Sequence, residues 1–290
     1  MKIQFPIPFS KMSGTGNDFI IIDNRQKKLD GINLQDFARA VCRRKFSVGA
    51  DGLILIEQSE TADFSWQFLN GDGSVAEMCG NGARCAARFA FEKKIAPADM
   101  HFATLAGVIE ASIRNDAGSS VRIRLTAPEN IDLNRQLEID GEEKTIHSIN
   151  TGVPHVVMMV EAAAAVPVVD WGRTLRYHED FQPAGTNVNF VQMLDNDELF
   201  VRTYERGVED ETMACGTGAV ASAIVAALLG KVKSPVRVTT SGGEKLVIIF
   251  SLPEDDGTLQ EDESIKVFLE GPAHLIYEGN ICADAISSGS

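Results

Sequence analysis

EMCGNGAR, residues 77–84, decides the reading of this chain because it returns in part as MACGTGA at residues 213–219. Each copy sets one cysteine, Cys79 or Cys215, directly before a Gly-x-Gly stretch that predicts a turn opening a helix. The likeness extends outward at matched offsets. Asn70 lies nine residues before Cys79, and Thr104 and Gly107 lie twenty-five and twenty-eight after it; the same steps from Cys215 reach Arg206, Thr240 and Gly243. This is a duplicated half-domain. A sulfur in each half predicts two thiols acting on one substrate from opposite sides.

A thiol at a helix N-terminus meets unsatisfied backbone N–H groups and the positive end of the helix dipole. That environment predicts a thiol pKa lowered from about 8.5 towards roughly 3.5–7.5. The Gly-x-Gly backbone lets a ligand approach closely, and the same N–H groups suit a carboxylate. The chemistry that follows is removal of a weakly acidic C–H next to a carboxylate, with the developing charge held by helix ends. Inversion of a stereocentre needs a base on one face and an acid on the other, so one thiolate and one thiol suffice. Two like charges at close quarters resist joint ionisation, which predicts a coupled titration and a bell-shaped pH profile. No lysine context for pyridoxal phosphate is present, so no cofactor is expected. Cys42, Cys85 and Cys282 lack the glycine context and read as small core residues.

The totals narrow the alternatives. With 290 residues, 44% hydrophobic and 23% charged, the chain has room for two domains. A net charge of -14 opposes nucleic acid and anionic membranes as partners. The first residues, MKIQFPIPFSKM, fit neither a secretory signal nor a transit peptide, and the apolar run 219–229 is too short to span a bilayer. A cytoplasmic enzyme is the expectation. Five cysteines at irregular spacing argue against a disulfide framework, and no CxxC or HExxH is present, so no metal site is expected.

Along the chain, residues 9–23 predict two strands joined by a glycine turn, 34–44 a helix, 52–57 and 64–69 strands, and 83–94 a helix. Strand-like pieces follow at 100–103, 108–113 and 121–125. After a charged connection at 132–144 the order repeats, with strands within 149–160, 185–192 and 199–204. The segment AVASAIVAALL, 219–229, is apolar on every side and predicts a helix enclosed by protein, as inside a rolled sheet. Strands at 236–240, 246–250 and 265–270 complete the copy. The expected class is α+β: two pseudo-symmetric lobes from an internal duplication, each a mixed barrel-like sheet around a central helix. No low-complexity linker separates the halves, which predicts packed lobes with a cleft.

Seven blocks in order resemble the diaminopimelate epimerase family: KMSGTGNDF (11–19), VGADGL (48–53), residues 70–85, GVPH (152–155), TNVNF (186–190), YERG (204–207) and ACGTGA (214–219). The resemblance implies interconversion of LL- and meso-2,6-diaminopimelate, for lysine and peptidoglycan precursors, by a cofactor-independent two-base mechanism. It implies that Cys79 and Cys215 are the acid–base pair. Gly80, Asn81, Gly216 and Thr217 then offer backbone and side-chain donors to the carboxylate at the reacting carbon. Asn17, Asn70, Asn187, Glu205 and Arg206 complete the substrate-binding set, Arg206 as a bidentate grip on the distal carboxylate. His155 and Glu205 tune the thiols. Tyr277 matches a tyrosine at a homodimer contact. The implied lobes are residues 1–128 and 129–271, with 272–290 returning to the first.

Two positions depart from the family pattern: Val153 stands where many relatives have Asn, and Ser13 where histidine is common. From the residues alone, Asn17 and Asn70 equally suit turn caps, Glu205 and Arg206 a surface ion pair, and His155 a structural hydrogen bond. The competing functions are a related cofactor-free racemase or isomerase of the proline-racemase or phenazine-pathway type, and a thiol redox or metal-binding protein.

Overall fold

The computed structural model describes residues 4–252 and 265–286. The ends of the chain on which the leader and return-segment expectations partly fall, residues 1–3 and 287–290, lie outside the described residues. In chain order the first elements are β1 (Ile7–Gly14), β2 (Asn17–Asp23), α1 (Leu34–Cys42), β3 (Gly52–Glu57), β4 (Phe64–Asn70) and α2 (Gly80–Glu92). Then come β5 (Asp99–Thr104), β6 (Gly107–Ile113), β7 (Ser120–Leu125), β8 (Glu129–Ile139), β9 (Glu142–Asn150) and β10 (Pro154–Met159). These are followed by α3 (Val168–Arg176), β11 (Asn187–Asp195), β12 (Glu198–Glu205), β13 (Asp210–Thr212) and α4 (Gly216–Leu228). The last are β14 (Val236–Thr240), β15 (Lys245–Phe250), β16 (Val267–Pro272) and β17 (His274–Ile281). Contacts divide the chain into two units, Met1–Ile123 with Gly271–Ser290, and Arg124–Glu270.

The duplication is written in the strand pairings. In the first unit the order is β17-β1-β2-β3-β4-β5-β6-β7, and its successive pairings are antiparallel, antiparallel, parallel, antiparallel, parallel, antiparallel and antiparallel. The second unit repeats the same series through β8-β9-β10-β11-β12-β14-β15-β16. One 13-residue helix follows each cysteine, α2 after Cys79 and α4 after Cys215. Helix α2 packs on β1, β2, β3 and β6, while α4 packs on β9, β10, β11, β12, β14 and β15. The opposite sheet faces carry α1 against β3 and β4, and α3 against β11 and β12.

Local chemistry explains the elements. Thr15 and Gly16 turn β1 into β2 with φ of 49° and 90°, the positive-φ pair that a two-residue hairpin with right-handed strand twist requires. Strand β3 (GLILIE) pairs parallel with β2 and is buried over five successive residues, so it is apolar without alternation. Strand β8 instead alternates between partly buried and exposed, because the hairpin β8–β9 has one wet face. Helix α4 buries nine residues in succession, Gly218 to Ala226. Val220, Ile224 and Val225 each contribute about 1.5–3 kcal/mol by leaving water. The one polar side chain in that run, Ser222, donates to the Gly218 carbonyl at 2.7 Å. Helix α3 has no counterpart in the sequence reading: Gly172 looks like a breaker, yet a Cβ there would lie 2.4 Å from Tyr204 Cβ, so the glycine lets the helix seat on the sheet.

Candidate functional site

In the first unit Cys79 is the N-cap of α2, with extended backbone (φ -147°, ψ 118°), and its Sγ accepts the Gly82 N–H at 3.5 Å. Asn81, in the first turn, is turned inward and buried. Its Nδ2 donates to Asn17 Oδ1 at 2.8 Å and to the Thr15 carbonyl at 3.4 Å, and its Oδ1 accepts from Arg84 at 2.7 Å. Both amide hydrogens are thus spent on protein, leaving the Asn81 backbone N–H as its available donor. Asn17 is held at both ends, since its Nδ2 also donates to Asp51 at 3.0 Å. Asp51 is in turn bound by Arg44, which also grips Asp18 beside the buried Lys11. Arg84 is completely buried and donates to Thr15, to Asn81 and to the carbonyls of Gly80 and Pro272. Asn70 closes its own turn through Ser74 Oγ at 2.9 Å.

In the second unit Cys215 is the N-cap of α4, and its Sγ lies 3.5 Å from the Thr217 hydroxyl. Here the expectation of a lowered thiol pKa fails. Burial pushes the Cys215 thiol up to about 12, the Glu205 carboxylate adds to the rise, and the N–H groups of Gly218 and Thr217 only partly oppose it. Cys215 therefore carries its proton at neutral pH. Glu205 is itself raised by burial, against the Thr212 hydroxyl that donates to it at 2.8 Å. His155 is 1% exposed and held down to about 3 by burial and by the nearby Arg206 charge, so the ring is neutral. Its Nδ1 lies 3.1 Å from Asn189 Nδ2, while its Nε2 is buried without a hydrogen-bond partner among the described residues.

Asn187 ties three pieces of chain together. Its Nδ2 donates to the Pro154 carbonyl at 3.2 Å, and its Oδ1 accepts the Arg206 backbone N–H at 2.9 Å. The Arg206 guanidinium donates to the Ala184 carbonyl at 3.0 Å. Among the described residues Glu205 and Arg206 do not pair with each other. The first unit thus assembles Cys79, Gly80, Asn81 and Asn17, while Asn70 is tied to its own turn, whose Gly71 N–H donates to the Asp51 carbonyl. The second gathers Cys215, Gly216, Thr217, His155, Asn187, Glu205 and Arg206. Asn189, Thr203 and Arg84 join these groups without a motif of their own to mark them. Their signal was a polar residue inside an otherwise apolar strand or helix.

Of the remaining cysteines, Cys42 and Cys85 are buried, and burial pushes both thiols up to about 12. Cys282 departs from its core expectation and is exposed. It follows the last buried residue of β17, Ile281, and begins the terminal turn. Tyr277 lies on β17, 46% exposed, its ring edge-on to Phe9 at 5.8 Å. No helix among the described residues is long and apolar enough to cross a membrane.

Comparison with known proteins places these features in a family. The family model described as diaminopimelate epimerase matches residues 9–130 and 147–266. A diaminopimelate epimerase of Aquifex aeolicus is 48% identical over 287 residues, covering 96% of this chain and 99% of the relative. Among solved structures, a phenazine biosynthesis protein from Bacillus anthracis superposes with a TM-score of 0.74 at 16% identity, covering 96% of this chain and all of the other. A hydroxyproline epimerase from Agrobacterium vitis gives 0.68 at 15% identity, covering 98% and 94%. At such identities the last two speak to the fold alone.

Proposed function

The chain belongs to the diaminopimelate epimerase family, and from that premise we propose that it interconverts LL- and meso-2,6-diaminopimelate by proton transfer between Cys79 and Cys215. The single observation that carries the mechanism is the repeat itself. Two helices of equal length, in two copies of one strand series, are each N-capped by a cysteine. In this reading one thiolate removes the α-proton from one face of the substrate, and the other thiol delivers a proton to the opposite face. The carboxylate at that carbon sits on the first-turn N–H groups of Gly80, Asn81, Gly216 and Thr217, which meet the developing charge without reorganising.

A resting protonation of the pair is part of this reading. Cys215, with its pKa pushed up by burial and by Glu205, holds the proton. Cys79 is then the base for the stereoisomer whose α-hydrogen faces it, and turnover leaves the proton on the other sulfur. Because each thiol exchanges with water between turnovers, epimerisation of LL-diaminopimelate in deuterated water should place deuterium at the product's inverted α-carbon. Mass spectrometry of the product, with proline as a control substrate, tests this. Product without label, or equal turnover of proline, would remove the proposal.

Asn17, Asn70, Asn187 and Arg206 serve the remaining polar groups of the substrate. Arg206→Lys should raise KM roughly tenfold with a smaller effect on kcat, because a point charge does not reproduce a planar fork on a carboxylate. An unchanged KM in steady-state kinetics would move distal recognition to another residue. The same reading has the enzyme working without a cofactor in the cytoplasm, on a free diamino acid for lysine and peptidoglycan precursors. It works as a homodimer with the exposed Tyr277 at its contact.

A further inference from the structure

The first turns of α2 and α4 rest on equivalent places in their sheets, and the side chains beneath them differ in kind. Phe19 pairs with Gly52 and Ile54 with Phe68 in the first unit, as His155 pairs with Asn187 and Asn189 with Thr203 in the second. The helix contacts agree with this alignment. A Cβ on Gly82 would lie 3.2 Å from Ile54 Cδ1 and 3.5 Å from Phe19, whereas one on Gly218 would lie 2.3 Å from Asn189 Oδ1. So the apolar row Phe19, Ile54, Phe68 under Cys79's helix corresponds to a polar row, His155, Asn189, Thr203, under Cys215's. The first copy shows that this fold closes over an apolar row. Three buried polar side chains in the second cost desolvation that apolar ones would not, which marks them as serving chemistry.

Hydrogen bonds settle where the protons are. The Val156 carbonyl only accepts, so the Asn189 atom 2.9 Å from it is the NH₂ group. Its second hydrogen points to His155 Nδ1 at 3.1 Å, and Asn189 Oδ1 accepts the Thr203 hydroxyl at 2.9 Å. Both hydrogens of the amide and its oxygen are thus engaged. A ring nitrogen that accepts carries no hydrogen, so neutral His155 bears its proton on Nε2. That N–H is the one polar atom of the row left buried without a protein acceptor.

We infer that Asn189 is a positioning residue, which holds His155 as an Nε2–H donor for an anionic acceptor arriving at the Cys215 end of the site. Thr203 fixes the amide, the amide fixes the ring, and the ring offers a hydrogen bond without exchanging its proton. The kinetic part of this inference rests on the epimerase reading, while the protonation pattern does not.

The test is NMR of the full chain with ¹⁵N-labelled histidine at neutral pH, the His155 signals among the five histidines being identified with His155→Gln. Wild type should show a bare Nδ1 and a protonated Nε2. Asn189→Asp sets a carboxylate against Nδ1 and should move the ring proton there, lowering kcat roughly 10- to 100-fold with little change in KM. Asn189→Leu, whose side chain resembles the Ile54 of the first unit, removes the lock without adding charge. It should give a mixture of the two ring forms and a similar loss of kcat. A wild-type ring protonated on Nδ1, or an Nε2–H form unchanged in both variants, would overturn the assignment. If the ring shifts as expected but diaminopimelate is not epimerised by the wild type, the positioning role stands and the proposed substrate falls.

Discussion

Cys79→Ala and Cys215→Ala are each expected to slow epimerisation by about 10³-fold or more, while Cys85→Ala keeps close to the wild-type rate. The size follows from what each sulfur does. Proton transfer by a positioned group is worth typically 10²–10⁴-fold, and the described titratable groups of the second unit are poor replacements for its thiol. His155, bonded to Asn189 beneath the first turn of α4, is held down to about 3 and is a poor proton acceptor at pH 7. Glu205 is raised by burial but is engaged by Thr212. Cys215→Ala should still exchange the α-proton of one stereoisomer with solvent, since Cys79 takes and returns a proton on its own face, whereas Cys79→Ala, left with a protonated Cys215, should exchange far more slowly at neutral pH. Inversion is lost in both. Cys85 sits on α2 one turn beyond the reacting residues, fully buried, and its sulfur faces Gly14. Removing it costs packing, not chemistry. Coupled turnover of LL-diaminopimelate and deuterium wash-out, measured together, distinguish the cases. Near-wild-type inversion by either Cys79→Ala or Cys215→Ala would end the two-thiol reading.

The duplication was legible because its marks are local. Cys-Gly-x-Gly opens a helix at both places it occurs in this chain, and the unbroken apolar face of AVASAIVAALL announces enclosure before any neighbour is known. The two-lobe α+β class follows from those marks, and the repeated pairing series matches it. What stayed hidden depends on contacts distant in sequence. Gly172 breaks the helical pattern of α3 on paper and permits its seating against Tyr204 in space. The raised pKa of Cys215 comes from burial and from Glu205, neither of which the helix-end argument contains. Asn189 reads as one more polar residue in TNVNF until register sets it opposite Thr203 and beneath Gly218. The inward turn of Asn81 is likewise invisible without Arg84 and Asn17 in place.

The same substitution made in both copies should have unequal consequences, and the inequality isolates the polar row. In Gly82→Ala the new methyl meets Ile54 Cδ1 at 3.2 Å and Phe19 at 3.5 Å. The nearer atom is the tip of an aliphatic side chain, which gives by a few tenths of an ångström, so stability should change by less than about 1 kcal/mol. In Gly218→Ala the methyl would stand 2.3 Å from Asn189 Oδ1. That oxygen does not swing aside freely, because its amide is bonded to the Val156 carbonyl, to His155 and to Thr203. Either the first turn of α4 lifts from the sheet, carrying Cys215 with it, or the amide breaks its bonds and releases His155. Overpacking of this kind costs about 1–3 kcal/mol. Both routes disturb the acid end of the reaction, where a displacement of about 1 Å is enough for a 10²-fold loss. Gly218→Ala is therefore expected to lower kcat at least about 100-fold while remaining folded by denaturant titration, and Gly82→Ala to lower it far less. Equal losses from the two variants would mean that each helix end tolerates displacement alike, and that the row beneath Cys215 has no part in placing it.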